Sequence, residues 1–435
     1  MKPIHSILLI IFCVAIASIA LPSSNADYQT NKTNLLRTQQ IEQWRNDIDF
    51  MQQQLEQRHI HLYHTISADF FSAELTRIKQ QLPFLTETSL TIELMRLMKQ
   101  VGDGHTQFAY WGGKHHRYPL EMRVFDEELR VISIEHQYKH LLGATLVAID
   151  DVPIEKVSAL LTPVLQGVEN IYSEKQRLSE TIIVAEVLHG LKITESLQQA
   201  NFTFKLPTGE EHNIQINSLT PRQSQTHAMS SLAPPKPPNF TLHTISIEGI
   251  DLLISNNGQI AYLGFHHYPT FSKMEDFAED LIGVLRKQKT SKVIIDLRNN
   301  GGGDFFVGLH LAWAFIMVDN LNWRDGIYVL IGRKTFSAAM SNAAQYRQLL
   351  NAKLVGEPTG ANPIGYQDAD TFSLPHSGWT LMYSKRRYRF QDSASAGVEP
   401  DVDIELDWNS YSAGKDKQLD WILNDIQSRT QINSH

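Results

Sequence analysis

The chain has 435 residues, 42% hydrophobic and 20% charged, enough apolar material for a packed core in two or three domains of roughly 100 to 200 residues each. Its formal charge of −8 and pI near 6.1 argue against a surface built to neutralise phosphates, so nucleic acid is not an expected partner. One cysteine, Cys13, leaves a chain processed after it without disulfides or thiolate metal sites.

At the start, Lys2, the apolar run 7–21 and the small-residue site Ser24-Asn25-Ala26 have the layout of a secretory signal. Residues 1–26 are therefore expected to be removed, leaving a periplasmic or secreted protein. Ser18-Ile19-Ala20 is a rival cleavage site, and an uncleaved run would be a membrane anchor, the one membrane association expected. Lipid attachment at Cys13 is disfavoured by the bulky Ile11-Phe12 before it.

Helical periodicity follows in three stripes: Ile41, Trp44, Ile48, Met51 and Leu55; Phe71, Leu75, Ile78 and Leu82; Leu90, Leu94, Leu97 and Val101. Ser67 and Thr88 are expected N-caps, Pro83 interrupts the pattern, and residues 27–112 read as a helical N-terminal domain. Residues 117–219 change to short β runs at 129–134 and 146–149, with helices near 156–165 and 180–191. The run Gly143-Ala144-Thr145-Leu146-Val147-Ala148-Ile149-Asp150 resembles the second half of a PDZ domain, the alternative being an unrelated α+β insert.

Residues 220–240 are rich in Pro, Ser and Gln, ending in Ala233-Pro234-Pro235-Lys236-Pro237-Pro238, and read as an extended linker. Beyond it, strands at 260–265, 293–297, 327–331 and 353–355 alternate with helices at 274–287, 305–317 and 338–350. The fold class is α/β, and 241–425 is expected to carry a mostly parallel sheet with chemistry at loops where strands end.

Three stretches carry chemistry. In the first, the apolar strand Lys292-Val293-Ile294-Ile295-Asp296 runs into Leu297-Arg298-Asn299-Asn300-Gly301-Gly302-Gly303-Asp304, where glycines let backbone N–H groups approach a ligand. An oxyanion hole is one use, a tight turn another; the GxxxxGK[ST] phosphate pattern is absent. In the second, Ser337 of Arg333-Lys334-Thr335-Phe336-Ser337-Ala338 opens a helix after a strand, either as a nucleophile or as an ordinary N-cap. In the third, Gly102-Asp103-Gly104-His105-Thr106 presents an imidazole able to move protons near neutral pH, or simply a hydrogen-bonded surface histidine.

Together with Gly356-Glu357-Pro358-Thr359-Gly360 and Gly397-Val398-Glu399-Pro400-Asp401, these stretches resemble the tail-specific (C-terminal processing) serine peptidase family over roughly 61–404. The resemblance implies a crotonase-like (ClpP/crotonase) αβ catalytic domain, Ser337 as nucleophile, and Gly302 and Ala338 as oxyanion donors. One branch of that family places a lysine base inside the GExTG segment, where this chain has Pro358; the branch similar to tricorn protease uses the histidine of the DGHT turn, here His105. The glutamate that orients this histidine in that branch corresponds to Ala394, so the nearby Asp392 is the expected acidic partner, with Glu399, Asp103 or water as alternatives.

The implied reaction is peptide hydrolysis through an acyl-enzyme, needing no cofactor, on a polypeptide substrate held by the PDZ-like segment. No metal is expected: His59, His61, His64, His115-His116 and His266-His267 form no HExxH pattern. Lys385-Arg386-Arg387 and Arg389 read as a solvated face, and no feature specifies the number of subunits. A non-catalytic peptide- or ligand-binding protein of the same fold and an esterase or amidase are the competing readings.

Overall fold

In a computed structural model of the chain, residues 25–108, 115–232, 237 and 239–432 are described. The apolar run 7–21 with Cys13 lies outside them, as do 233–236 and 238 of the proline-rich stretch.

The three N-terminal stripes fold as helices Asn25–Arg58, Ala68–Gln81 and Glu87–Val101. Ser67 caps the second, its side chain accepting from the Phe70 N–H; the third is capped by Thr86, not Thr88, through the Ser89 N–H. Pro83 sits in the 3-10 turn Leu82–Phe84 between them. The left-handed C-cap Gly102 ends the third helix and starts the turn that carries His105.

The middle segment is a mainly antiparallel sheet of Leu120–Phe125, Glu128–Glu135, Thr145–Ile149, Gln199–Lys205 and Glu211–Asn217, in that order. The helix expected at 180–191 is divided into Ile171–Thr181 and Ala185–Gly190. The β-branched run Thr181-Ile182-Ile183-Val184 makes the break: Val184 is extended and bridges to Arg117. The compositional linker is in part folded, since Met229–Ser231 adds a strand to Glu128–Glu135.

The C-terminal sheet runs Val402–Asp403, Lys353–Gly356, Ile327–Ile331, Lys292–Asp296, Ile260–Phe265, Ile250–Ser255, Phe240–Leu242, with the first five strands parallel. Helices Phe271–Gln288, Phe305–Ile316 and Ala338–Leu350 connect spatially sequential strands, so crossovers of one hand stack all three on one face. Alternate residues divide the strands between two cores. Val293, Ile295, Val329 and Ile331 face those helices, while Ile294, Tyr328 and Leu330 meet Leu419, Ile422 and Ile426 of the helix Lys417–Ile432. Burial on both faces explains the continuous apolar strands of the sequence.

A hairpin, Ile364–Ser373 with Thr380–Arg389, leaves this domain and takes Gln107–Phe108 as a third strand, pairing Gln107 with Met382 and Phe108 with Leu381. Its Phe372, Leu374, Leu381 and Tyr383 join the core shared by the N-terminal helices and the middle sheet. Asp47 of the first helix also accepts the His376 and Ser377 N–H groups at 2.9 and 2.8 Å. Backbone pairing, then, rather than the 220–240 stretch, ties the His105 turn to the C-terminal part of the chain.

Candidate active site

Every C-terminal element of the site lies at the C-terminal end of a parallel strand. The 297–304 loop follows Lys292–Asp296, Ser337 follows Ile327–Ile331, and Glu357 follows Lys353–Gly356. Buried Asn300 shapes the first loop: its Nδ2 donates to the Phe265 carbonyl, its carbonyl accepts the Phe336 N–H, and its Oδ1 accepts the Gly302 N–H at 2.9 Å. Thr335, fully buried, donates to the Leu297 carbonyl at 2.8 Å and so joins this loop to the serine turn.

Arg298 pairs with Asp296 at 2.6 Å and with Asp416 at 2.8 Å. Burial alone would raise the Asp296 carboxyl, but the charge and hydrogen bonds of Arg298 outweigh it and hold the group below the usual carboxylate range. Arg333 similarly joins Glu357 at 2.7 Å to the Val124 carbonyl at 2.8 Å; desolvation dominates at Glu357 and pushes its carboxyl up.

Ser337 has φ 51° and ψ −127°, a backbone conformation rarely occupied by L-residues. Its hydroxyl makes no capping hydrogen bond, although its carbonyl accepts the Ser341 N–H of the first helical turn. An ordinary N-cap is extended and spends its oxygen on the helix; this strained strand-to-helix turn instead presents it, as a nucleophile elbow does. Gly302 permits the close approach of the two loops, because a Cβ there would lie 2.6 Å from the Ser337 Cβ.

His105 reaches the same place from the N-terminal side. Its ring lies 5.3 Å from that of Phe336, and His105 and Ser337 line one cavity of about 1110 Å³ with Gly301, Gly303, Arg177 and Lys334. Both ring nitrogens are buried and without hydrogen-bond partners. The backbone is held from behind: Asp103 Oδ1 accepts the His105 N–H at 3.0 Å and the Ser384 hydroxyl at 2.7 Å, and its Oδ2 stands 3.1 Å from His59 Nε2. Burial opposes ionisation of Asp103, but these bonds, with His59 foremost, bring its carboxyl below the usual range.

Two expected roles meet different surroundings. Asp392 is exposed, with Arg389 bonded to its carbonyl, and Glu399 is exposed too. The carboxylate beside the imidazole is Glu169, whose Oε1 lies 3.4 Å from Nδ1. Of the two expected oxyanion donors, Ala338 N–H has no acceptor among the described residues, whereas Gly302 N–H is engaged by Asn300 in a local side-chain turn. Glu169 was missed because its sequence signal, the helix start Asn170-Ile171-Tyr172-Ser173 just after it, announces a cap and not a contact with a turn 64 residues earlier.

The clustered histidines serve structure. His61 Nδ1 contacts the Tyr366 hydroxyl at 2.9 Å and His116 Nδ1 contacts Glu186 at 2.7 Å. Among the described residues no group of three or more His, Cys, Asp and Glu is placed to hold a metal ion.

The profile of peptidase family S41 matches residues 318–404, the stretch holding Ser337, the GExTG-like segment and the closing GVEPD. Over this stretch the chain is similar to peptidase family S41. Among solved structures, mature CPAF complexed with lactacystin aligns at 12% identity over 91% of this chain and 99% of that one, TM-score 0.62. Mature CPAF alone aligns at 14% identity over 88% and 96%, TM-score 0.59. At these identities the likeness is one of fold. The photosystem II D1 C-terminal processing protease aligns at 13% identity over 84% and 94%, with a TM-score of 0.39, too low to carry an argument. No curated protein matches the sequence. The S41 match supports a serine peptidase.

Proposed function

We propose that the protein is an exported serine endopeptidase in which Ser337 attacks the scissile carbonyl and His105 is the general base. The observation that carries this reading is the strained, uncapped Ser337 on one cavity with an unpartnered buried imidazole. His105 Nε2 accepts the serine proton, returns it to the leaving amine, and then activates the water that resolves the acyl-enzyme. The Ala338 N–H stabilises the oxyanion; Gly302 N–H joins it once released from Asn300, each donor being worth about 3 kcal/mol of barrier. Pro358 stands where one branch of the family that the sequence resembles has its lysine base, and this reading therefore takes the imidazole as the proton acceptor.

The substrate is a polypeptide in a periplasmic or extracellular setting. A second cavity, of about 780 Å³, is walled by Val124, Leu146, Ile171 and Leu178 with Arg130 and Lys175 among its polar lining. Its apolar walls suit an extended peptide, the role the PDZ-like reading gives this segment, while Arg130 and Lys175 are already paired with Glu128 and Glu127.

A non-catalytic peptide binder of the same fold is the second reading, favoured by the engagement of Gly302 N–H. Incubation with unfolded casein separates the two. The enzyme reading expects fragments from the wild type and none from Ser337→Ala; intact casein with a folded wild type supports the binder. Cleavage of small esters alone would point to an esterase.

A further inference from the structure

We propose that Glu169, supplied by the middle segment and not by the C-terminal loop, is the positioning residue that fixes the ring of His105. Both side chains are 5% exposed, and Oε1 stands 3.4 Å from Nδ1. That separation is longer than a formed hydrogen bond, yet neither atom has another partner. A buried acceptor facing a buried donor, each otherwise unsatisfied, costs the fold until they meet, and a shift of a few tenths of an ångström joins them.

The carboxylate is held in that direction. Glu169 Oε2 accepts the Asn362 N–H at 2.7 Å, its carbonyl accepts Asn362 Nδ2 at 3.1 Å, and its own N–H donates to Ser173 Oγ at 3.0 Å. Gly104 leaves the space for it, since a Cβ there would lie 2.5 Å from Oε1. The other charged groups nearby are committed elsewhere. Asp103 is spent on His59, Ser384 and the His105 backbone, and Arg177, stacked 5.0 Å from the Phe336 centroid, pairs with Glu180 at 2.7 Å. Glu169 is thus the carboxylate with an oxygen to offer.

With Nδ1–H donated to Glu169, Nε2 is left as the acceptor, the tautomer a base toward Ser337 requires. The three groups then come from three distant stretches, and the third is in place only while the middle segment is seated on the 359–362 loop. Asn170 makes that seat, its Nδ2 donating to the Thr359 carbonyl at 3.1 Å and to Asn362 Oδ1 at 3.0 Å.

The consequence for rate rests on the hydrolase reading; the contact itself does not. The test uses the full chain, labelled with ¹⁵N-histidine for the His105 Nδ1–H resonance (identified by its loss in His105→Asn), and a fluorophosphonate probe for the reactivity of Ser337. Glu169→Gln should displace the resonance and slow labelling about 10²- to 10⁴-fold, while Glu169→Asp, which keeps the charge, should retain the resonance and recover part of the rate. An unmoved resonance, or labelling of Glu169→Gln at the wild-type rate, would overturn the proposal. If Glu169→Gln fails to fold, Glu169→Asp decides: intermediate reactivity with the resonance retained upholds the proposal, and wild-type reactivity with the resonance lost overturns it. A wild type that is never labelled, but whose resonance still moves in Glu169→Gln, would uphold the contact and overturn the hydrolase reading instead.

Discussion

His59 Nε2 lies 3.1 Å from Asp103 Oδ2, with the two side chains 0% and 4% exposed. This pair joins the end of the first helix to the turn bearing His105, and Ser384 adds the hairpin to the same carboxylate. The site's imidazole therefore inherits its place from a neighbouring acid that does not touch its ring.

That arrangement sets a pH dependence. The Asp103 carboxyl is depressed in the fold, so the stability it supplies is complete above the unfolded value of about 3.9 and is lost as pH falls through the lower folded value. Urea midpoints should show this group's contribution in full and independent of pH between about pH 5 and 7, and a decline below about pH 4. Asp103→Asn should flatten that decline and cost about 1–3 kcal/mol at neutral pH, since one partner of a buried bond is left unsatisfied.

The Arg298 clamp is expected to matter for the loop more than for the sheet. Asp416→Ala leaves Asp296 as the remaining carboxylate on a buried guanidinium, so the loss should fall below the 3–5 kcal/mol or so of an orphaned buried charge, at about 2 kcal/mol. Denaturant unfolding measures this, and Asp416→Asn should lose less because it keeps a hydrogen-bond acceptor.

Gly104→Ala tests the crowding at the imidazole. The added methyl would meet Glu169 Oε1 at 2.5 Å and Phe336 Cζ at 2.6 Å. A destabilisation of about 1–3 kcal/mol is expected, with fluorophosphonate labelling reduced further than the lost stability accounts for. Thermal melts and labelling rates on the same preparation separate the two effects.

The parallel sheet was legible because its strands are buried on both faces and read as unbroken apolar runs. Helix 274–287 lengthened to Phe271–Gln288 once Thr270 capped it, and Ile260–Phe265 fell where expected. Asp296 to Gly303 was legible as an apolar strand running into a glycine-rich turn, a pattern that an oxyanion hole and a tight turn share. What local pattern does not carry is long-range pairing. Gln107 reads as the end of a helical region, and only the hairpin partner Met382 makes it a strand; Met229–Ser231 sits in a linker-like composition and is recruited by the edge of Glu128–Glu135. Glu169 belongs to the same class, since its contact depends on how the middle segment seats on Asn362.

The most direct test of the account is mass-spectrometric mapping of the fluorophosphonate adduct on the folded wild-type chain. The account predicts one modified peptide, carrying the adduct on Ser337, with labelling slowed at least a hundredfold or so in His105→Ala. An adduct on a different serine, or labelling that His105→Ala leaves unchanged, would contradict it.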